Sequence, residues 1–262
     1  MDCGICALSV VPGRGEPTDK SEMVTQLLFG ETFSILDENE KWFKVSLTHD
    51  QYECWVDKKQ VDLLSDDSLL KSAPHLVADP YAQVIDTQSH SPIPVVMGSM
   101  LHGFDGGSFQ MGSRTFLFKG KAVQVQDPVP ENVQDLALNL LNLPYLWGGR
   151  STYGLDCSGL TQLIYRMCGV SIPRDSFQQA SLGQELDLVE EALDGDLGFF
   201  KNEEGRITHV GVVLTGQDTS TAGKMILHAS GKVRLDPLDQ EGIYNLETET
   251  YSHTLSSVKM LF

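Results

Sequence analysis

Short apolar runs rich in β-forming residues, separated by polar residues that favour turns, fill the first part of the chain. They span residues 23–29, 32–36, 42–47 and 52–56. Four or five short strands at this spacing predict a small β-barrel. Residues 65–71 are polar and acidic, which is typical of a boundary, so we predict a first β domain over residues 1–66.

The next stretch carries further apolar runs but no helical period. These runs cover residues 75–85, 94–101 and 115–125, and Ser-Pro and Asp-Gly-Gly sequences interrupt them. We therefore predict a second small β unit over residues 72–127. Its role stays open between a spacer and a second barrel. The Asp-Pro-Val-Pro sequence at 127–130 predicts a linker.

Beyond residue 130 the apolar spacing changes to that of helices. Apolar positions recur at helical intervals over residues 131–141 and 157–168, with a shorter candidate helix at 177–182. Strand-like runs follow at 197–200, 207–214, 225–229 and 257–261. Helices followed by an antiparallel sheet predict an α+β domain over residues 128–262.

The charge of the chain limits its partners. The 262 residues carry a formal net charge of −17. Nucleic acids and anionic membranes attract basic surfaces, so this acidity argues against both. No stretch is apolar for the roughly 18 residues that a membrane span needs. The N-terminus also lacks the basic and apolar regions of a signal peptide, so we expect a cytoplasmic protein, and we expect it to be a monomer.

The cysteines indicate reduced thiols rather than a disulfide framework. There are five of them, Cys3, Cys6, Cys54, Cys157 and Cys168, and this odd number comes without a signal peptide. Cys3 and Cys6 form a lone C-x-x-C pair, which we interpret as lightly buried thiols near the terminus rather than zinc ligands. Since the carboxylates are also scattered, we expect neither a metal nor another cofactor.

Cys157 lies where a glycine-containing loop meets an apolar helix. A helix N-terminus and a nearby imidazole both favour a thiolate, and the N–H of Cys157 is a natural oxyanion donor. His209 and His228 lie on consecutive strand-like runs, so one imidazole can act as base while the other orients it. Each residue by itself is more often core packing or a satisfied polar group. Together they predict a nucleophile, a base and an orienting group.

The segments around these residues resemble the active-site signature of the NlpC/P60 peptidases. In the family's order they read LPYLWGG at 143–149, GLDCSGL at 154–160, IPRDS at 172–176, GDLGFF at 195–200, THVG at 208–211 and LHAS at 227–230. The first β domain resembles the bacterial SH3 domains that accompany this peptidase domain, through residues 11–14, 28–31, 42–45 and 52–56. It departs from them at Cys54, where such domains usually place glycine before the tryptophan.

The resemblance implies a papain-like catalytic domain, with N-terminal helices packed on an antiparallel sheet, preceded by one or two small SH3-like barrels. It implies a cysteine endopeptidase of the dipeptidyl-peptidase VI type, which cuts the γ-D-Glu–diamino acid bond of murein stem peptides with a free N-terminal L-Ala. By similarity, Cys157 attacks the γ-carbonyl, His209 is the base and His228 orients His209. No cofactor is implied.

The same resemblance implies a set of substrate-binding residues. Asp156, Ser158, Asp175 and Ser176 match the positions that hold the amine and the carboxylate of the substrate. A buried ammonium needs a carboxylate partner, which Asp175 or Glu31 of the barrel can supply. Tyr52 can close the pocket with an apolar ring and a hydroxyl donor. The plainer alternatives are a solvated hairpin residue for Glu31 and a barrel-packing aromatic for Tyr52.

A cytoplasmic enzyme that demands a free amine would process imported or recycled murein peptides. Two alternatives use the same residues differently. A papain-like acyl or amide transferase would form the same thioester and pass the acyl group to an amine. A catalytically silent protein would only bind murein. The sequence leaves the choice between diaminopimelate and lysine open.

Overall fold

The computed structural model describes residues 2–65, 69, 74–124, 133–215 and 223–261, and the linker predicted at 127–130 lies outside these ranges. The chain divides into two compact units. The first comprises Met1–Asp127 and Trp147–Tyr153, and the second comprises Pro128–Leu146 and Gly154–Phe262. Within the described ranges, no helix has the length and apolar character needed to cross a membrane.

The first unit begins with seven strands and one 3₁₀ helix. They are β1 (Cys3–Ile5), β2 (Val10–Arg14), β3 (Met23–Leu28), β4 (Thr32–Glu38), β5 (Trp42–Leu47), β6 (Glu53–Asp57), the 3₁₀ helix Lys58–Gln60 and β7 (Asp62–Leu64). They form one antiparallel sheet in the order β3-β2-β6-β5-β4-β1-β7. The four strands predicted from apolar runs are therefore all present, as β3 to β6.

The alternation of side chains explains the core of this sheet. In β5, buried Phe43, Val45 and Leu47 alternate with half-buried Lys44 and Ser46. The inward residues pack into one apolar cluster with Val11, Leu27, Phe33 and Val56. Period-two burial is the arrangement expected of a strand with one face in the core.

Two cysteines lie deeper than we expected. Cys6 is fully buried in the apolar cluster, where Cys54 also packs, and burial raises the pKa of the Cys6 thiol. The expectation that Cys3 and Cys6 are only lightly buried was wrong, because Cys3 lies in β1, which is paired on both sides by β4 and β7, and Cys6 packs into the apolar cluster. All five cysteines lie in the described part of the chain, and none of them forms a disulfide.

The rest of the first unit consists of short strands. They are β8 (His75–Val77), β9 (Tyr81–Asp86), β10 (Pro92–Val96), β11 (Met100–Leu101), β12 (Ser108–Met111), β13 (Arg114–Phe118), β14 (Ala122–Val123) and β15 (Arg150–Ser151). Two antiparallel sheets contain the first seven of these, β10-β9-β13-β12 and β11-β8-β14, and β15 belongs to neither. The middle stretch is thus made of strands, as predicted, and its likeness to an SH3 barrel stays a prediction.

Phe29 ties the two parts of the first unit together. Its ring lies edge-on to Phe109 and Phe116, at centroid distances of 6.1 and 5.6 Å. The next residue, Gly30, has φ +81°, and its carbonyl accepts a hydrogen bond from Nε2 of His102 at 2.7 Å. A Cβ at Gly30 would lie 2.1 Å from the carbonyl oxygen of Met100. Only glycine therefore fits this turn.

The second unit places its helices before its sheet. In chain order it contains α1 (Val133–Leu138), β16 (Gly154–Leu155), α2 (Cys157–Met167), α3 (Ser176–Gln179), β17 (Gln184–Leu186), the 3₁₀ helix Val189–Glu191, β18 (Leu197–Lys201), β19 (Ile207–Thr215), β20 (Lys224–Ser230), β21 (Lys232–Leu238), β22 (Gly242–Asn245) and β23 (Thr250–Met260). The antiparallel sheet has the order β17-β23-β18-β19-β20-β21-β22. Since β22 also pairs with β23, six of these strands close on themselves.

Several elements of the second unit differ from the prediction. The first helix ends at Leu138, and Asn142 then adopts φ +64° and donates its N–H to the carbonyl of Val233 at 2.9 Å. Strands β21 and β22 were not predicted, because proline, glycine and charged residues interrupt their apolar pattern. Strand β23 begins at Thr250 rather than at 257, because its first residues are polar and mostly exposed.

Replacing Gly30 with alanine tests the close turn of the first unit. We expect Gly30→Ala to lower the free energy of unfolding by about 3 kcal/mol, since left-handed backbone and overpacking each cost about 1–3 kcal/mol. Gly103→Ala is the matched control, because Gly103 has φ +62° but nothing within 4 Å of the added Cβ, so it should cost about 1 kcal/mol. Urea denaturation measures both. Equal losses would contradict the contact with Met100.

Candidate active site

Cys157 is the first residue of α2, where the preceding aspartate caps the helix. Asp156 has an extended backbone, and its Oδ1 accepts the N–H of Gly159 at 2.7 Å. This capping ends the loop at Asp156 and starts the helix at Cys157. The cysteine keeps part of its surface exposed, whereas the other four cysteines are buried. Among the five thiols, that of Cys157 is therefore the one open to a reactant.

The surroundings of the Cys157 thiol oppose its ionisation. Burial, followed by the Asp156 carboxylate, raises the pKa of Cys157 to about 12, although hydrogen bonds from the N–H groups of Val210 and Ser158 act in the other direction. The expectation that the helix start favours a standing thiolate is thus not met. The thiol needs a nearby proton acceptor, and the bond from Val210 places it beside the strand that carries His209.

His209 and His228 lie on neighbouring strands, as their spacing predicted. His209 is in β19 and His228 in β20, where Gly211 is the register partner of His228. Nε2 of His209 lies 2.9 Å from Nδ1 of His228, and both residues are buried. Burial, with His253 and His228 nearby, holds the pKa of His209 well below its usual range. His209 is therefore neutral and able to accept a proton.

Asp236 extends this pair, and the sequence did not point to it. It lies in β21, and its Oδ2 is 3.0 Å from Nε2 of His228. The aspartate is 1% exposed. Burial opposes its charge, but hydrogen bonds from His228 and Arg234 hold the pKa of Asp236 below its usual range. Asp236 was missed because β21 itself was missed, so nothing placed this carboxylate beside His228.

His253 is a third histidine at the site and was also missed. Its ring stacks on that of His209, with centroids 4.1 Å apart and planes 22° apart. Burial, followed by the neighbouring His228, lowers the pKa of His253 to about 4. The ring nitrogens of the three histidines lie within 4.8 Å of one another, a spacing that a metal ion could bridge. However, His228 uses both nitrogens in hydrogen bonds, and near-parallel rings do not point their lone pairs at one ion.

Two of the predicted substrate residues belong to a buried ionic network. Arg174 is 2% exposed and donates from one terminal nitrogen to Asp156 Oδ1 at 3.0 Å and to Ser158 Oγ at 2.8 Å. Its other terminal nitrogen pairs with Asp156 Oδ2. Arg174 was quoted as part of the IPRDS segment but not predicted as a site residue. It holds Asp156 and Ser158 on either side of Cys157.

Asp175 and Ser176 lie at the start of α3. Asp175 is the N-cap residue, and its N–H donates to Oε1 of Gln178 at 3.3 Å. Both residues are half-buried, so part of each side chain faces solvent. Their predicted contacts with the substrate stay predictions.

Glu31 and Tyr52 lie in the first unit, where both have internal roles. Glu31 is fully buried, and its Oε2 accepts hydrogen bonds from the N–H of Leu28 at 2.9 Å and from Arg150 at 3.1 Å. Arg150 also donates to Oε1 at 3.1 Å. Tyr52 is half-buried and packs against the apolar cluster of the first sheet. Glu31 is thus the counter-ion of Arg150, and the predicted contact of Glu31 with a substrate ammonium stays a prediction.

Residues 142–251 match the NlpC/P60 family, and residues 13–61 match the bacterial dipeptidyl-peptidase Sh3 domain. The gamma-D-glutamyl-L-lysine dipeptidyl-peptidase of Bacillus subtilis (strain 168) is 32% identical over 77% of this chain and 71% of its own length. This chain belongs to the NlpC/P60 family. The predicted family and enzyme class, a cysteine-type peptidase, are confirmed.

Further relatives agree with this membership. The Bacillus cereus (strain ATCC 10987 / NRS 248) protein of the same name is 30% identical over 75% of this chain and 66% of its own length. The chain therefore spans about two thirds of that relative. The crystal structure of an NlpC/P60 family protein from Bacillus cereus ATCC 10987 has a TM-score of 0.79 at 22% identity, covering 98% of this chain and 99% of that one. The predicted fold class is confirmed.

The low pKa values of His209 and His253 predict that activity persists to a lower pH than it would with an ordinary catalytic histidine. Because a neutral His209 is the form that accepts a proton, kcat/KM for a cleaved peptide should stay level as the pH falls through about 6.5, where an ordinary histidine titrates. Below that pH the unfolded chain binds protons that the folded one does not, so stability should fall with pH. Rate profiles and urea midpoints measure both effects. An acid limb at pH 6.5 or above would contradict the buried, neutral His209.

Removing Arg174 tests the buried network beside Cys157. We expect Arg174→Met to lower the free energy of unfolding by about 3 kcal/mol, because it leaves Asp156 buried without its cation. Arg206→Met is the matched control. The Arg206 side chain is 74% exposed, so its removal should change stability by less than about 0.5 kcal/mol. Urea denaturation distinguishes the two, and similar small losses would show that the Arg174 network contributes little.

Proposed function

We propose that this protein is a γ-D-glutamyl-L-diamino acid peptidase that releases L-Ala-D-Glu from murein peptides with a free N-terminus. The observation that carries the proposal is the line of hydrogen bonds from His209 through His228 to Asp236, beside the partly exposed Cys157. The relatives in two Bacillus species, which are named gamma-D-glutamyl-L-lysine dipeptidyl-peptidases, support the substrate class.

The chemistry follows from the pKa directions at the site. As Cys157 Sγ attacks the γ-carbonyl carbon of D-Glu, its proton passes to Nδ1 of His209, since Nε2 is bonded to His228. The N–H of Cys157 lies at a helix start and stabilises the oxyanion. His209 then protonates the leaving amine of the diamino acid, which leaves a thioester. Water, deprotonated by His209, hydrolyses the thioester and restores the thiol.

The γ-linked substrate brings two charges that the binding residues have to match. The α-carboxylate of D-Glu needs donors, and Ser158 and Ser176 carry hydroxyls close to the two helix starts. The N-terminal ammonium needs an acceptor, and in the second unit we assign this role to the carboxylate of the half-buried Asp175. A neutral N-terminus would leave such a carboxylate without its partner, which is why the free amine matters.

The test compares L-Ala-γ-D-Glu-L-Lys with its N-acetylated form and with the meso-diaminopimelate peptide, with products identified by mass spectrometry. We expect release of L-Ala-D-Glu from the two free peptides and at least about 100-fold slower cleavage of the acetylated one, as for the loss of a buried charge pair. Cys157→Ala should abolish cleavage. Cys168→Ala, at the far end of the same helix, is the matched control and should retain it.

The other outcomes distinguish the alternatives. Equal cleavage of free and acetylated peptides would support the peptidase activity and contradict the proposed recognition of the free amine. A product conjugated to an added amine would indicate acyl transfer instead of hydrolysis. Binding of the peptides without any product would indicate a silent murein-binding protein. The cytoplasmic location stays a prediction, which fractionation of the native cells would test.

A further inference from the structure

Asp236 is the buried carboxylate that the proposed chemistry leaves without a role. Its Oδ2 accepts from Nε2 of His228 at 3.0 Å and also from Nε of Arg234. Its Oδ1 accepts from a terminal nitrogen of Arg234 at 3.0 Å and, more weakly, from the N–H of Leu246 at 3.4 Å. A buried carboxylate with donors on both oxygens stays ionised, so it accepts hydrogen bonds and donates none.

This carboxylate decides which nitrogen of His228 carries the proton. Because Asp236 can only accept, an imidazole with a single proton at His228 has to carry it on Nε2, and Nδ1 is then the unprotonated nitrogen. The unprotonated Nδ1 of His228 lies 2.9 Å from Nε2 of His209. Nδ1 of His228 is therefore the acceptor of this hydrogen bond, and Nε2 of His209 is the donor. The remaining nitrogen of His209, Nδ1, carries the lone pair that takes the thiol proton.

The opposite arrangement would be inactive. If His228 carried its proton on Nδ1, it would donate to Nε2 of His209, and His209 would carry its own proton on Nδ1. That nitrogen could then not accept the proton of Cys157. Two coupled imidazoles therefore have one productive and one unproductive pair of tautomers. The hydrogen bond between His228 and Asp236 determines which of the two pairs is adopted.

Arg234 holds the carboxylate in the orientation that this requires. It is the register partner of His228 in the β20–β21 pairing, and its guanidinium meets both oxygens of Asp236. Asn245 accepts from the same guanidinium at 2.9 Å, and Glu247 accepts from its other terminal nitrogen at 3.1 Å. Asn245 is the last residue of β22, and Glu247 lies in the turn that follows it. Arg234 therefore holds Asp236 through both of its carboxylate oxygens.

We propose that Asp236, oriented by Arg234, is a positioning residue that selects the productive tautomer of both His228 and His209. The inference rests on one part of the proposed function, the transfer of a proton from Cys157 to His209. It does not depend on which peptide is cleaved. When Cys157 Sγ gives its proton to Nδ1 of His209, the imidazolium keeps its Nε2–H bond to His228. No further proton moves, and Asp236 remains a carboxylate throughout.

Alkylation of Cys157 by iodoacetamide tests this without a peptide, because the other four cysteines are buried. Loss of the orienting carboxylate in a serine-protease triad lowers kcat about 10⁴-fold. In this protein the carboxylate acts on the base through one additional imidazole, that of His228. We therefore expect Asp236→Ala and Asp236→Asn each to slow alkylation and kcat on the order of 10²-fold, with KM unchanged. Peptide mapping by mass spectrometry verifies that Cys157 is the labelled site.

The comparison of the two variants separates positioning from packing. Asparagine keeps the size of Asp236, so a packing role predicts that Asp236→Asn is milder than Asp236→Ala. For positioning, asparagine should be at least as harmful. Its amide nitrogen can donate to His228 and force the unproductive tautomer, and in either orientation the amide opposes an N–H of Arg234. A clearly milder Asp236→Asn would overturn the proposal.

Asp86→Asn is the matched control. Asp86 is likewise a buried aspartate paired with arginine, since Nε and a terminal nitrogen of Arg114 donate to its Oδ2 at 2.9 and 2.7 Å. It belongs to the first unit, whereas His209 and His228 belong to the second. Its loss should lower stability and leave alkylation within about twofold of the wild type. Slowing as large as that of the Asp236 variants would attribute the effect to general destabilisation and overturn the proposal.

Nitrogen-15 NMR of the histidine rings gives a direct measurement on the unmodified protein. We expect His228 to carry its proton on Nε2 and His209 on Nε2, and we expect Asp236→Asn to shift both rings towards protonated Nδ1. A wild-type His228 with a proton on Nδ1 would overturn the proposal even if no variant folded. Expected tautomers and alkylation rates without peptide cleavage would instead keep the positioning role and reject the proposed substrate.

Discussion

The hydrogen bond between His209 and His228 is the interaction on which the rest of the site depends. It joins β19 and β20, and a third strand, β21, supplies the aspartate at its far end. An imidazole pair by itself has two directions of donation, so geometry alone does not make a base of His209. The carboxylate of Asp236 can only accept, so it fixes the direction in which His228 and His209 donate their hydrogen bonds. Three adjacent antiparallel strands are what bring these side chains into line.

Burial explains why the charges of the site occur in pairs. Arg174 with Asp156 and Arg234 with Asp236 are taken out of water, and each cation satisfies the carboxylate that it meets. The first pair caps and braces the helix that starts at Cys157. The second pair braces the imidazole line. The same burial raises the pKa of the Cys157 thiol and lowers that of His209, so both are neutral at rest and the proton moves only when the thiol reacts.

Much of the site could be predicted from local sequence. Cys157 stands after a capping aspartate at the start of an apolar helix, and His209 and His228 stand in strand-like, largely apolar runs. Local pattern is sufficient for these because a helix start and an apolar strand are each coded over a few residues. Asp236 and His253 could not be predicted, since β21 contains Pro237 and β23 begins with exposed polar residues. Their strands are held by pairing with neighbours rather than by their own apolar periods.

The sequence by itself determined the family, the fold class and the positions of the nucleophile and the two imidazoles, because each of these is coded by short segments in a constant order. The tertiary structure alone decided three things. It paired Glu31 with Arg150, residues 119 positions apart, instead of leaving the carboxylate exposed. It buried Cys6 in the apolar cluster of the first sheet. It also set Asp236 against His228, because register between strands, and not spacing along the chain, decides which side chains meet.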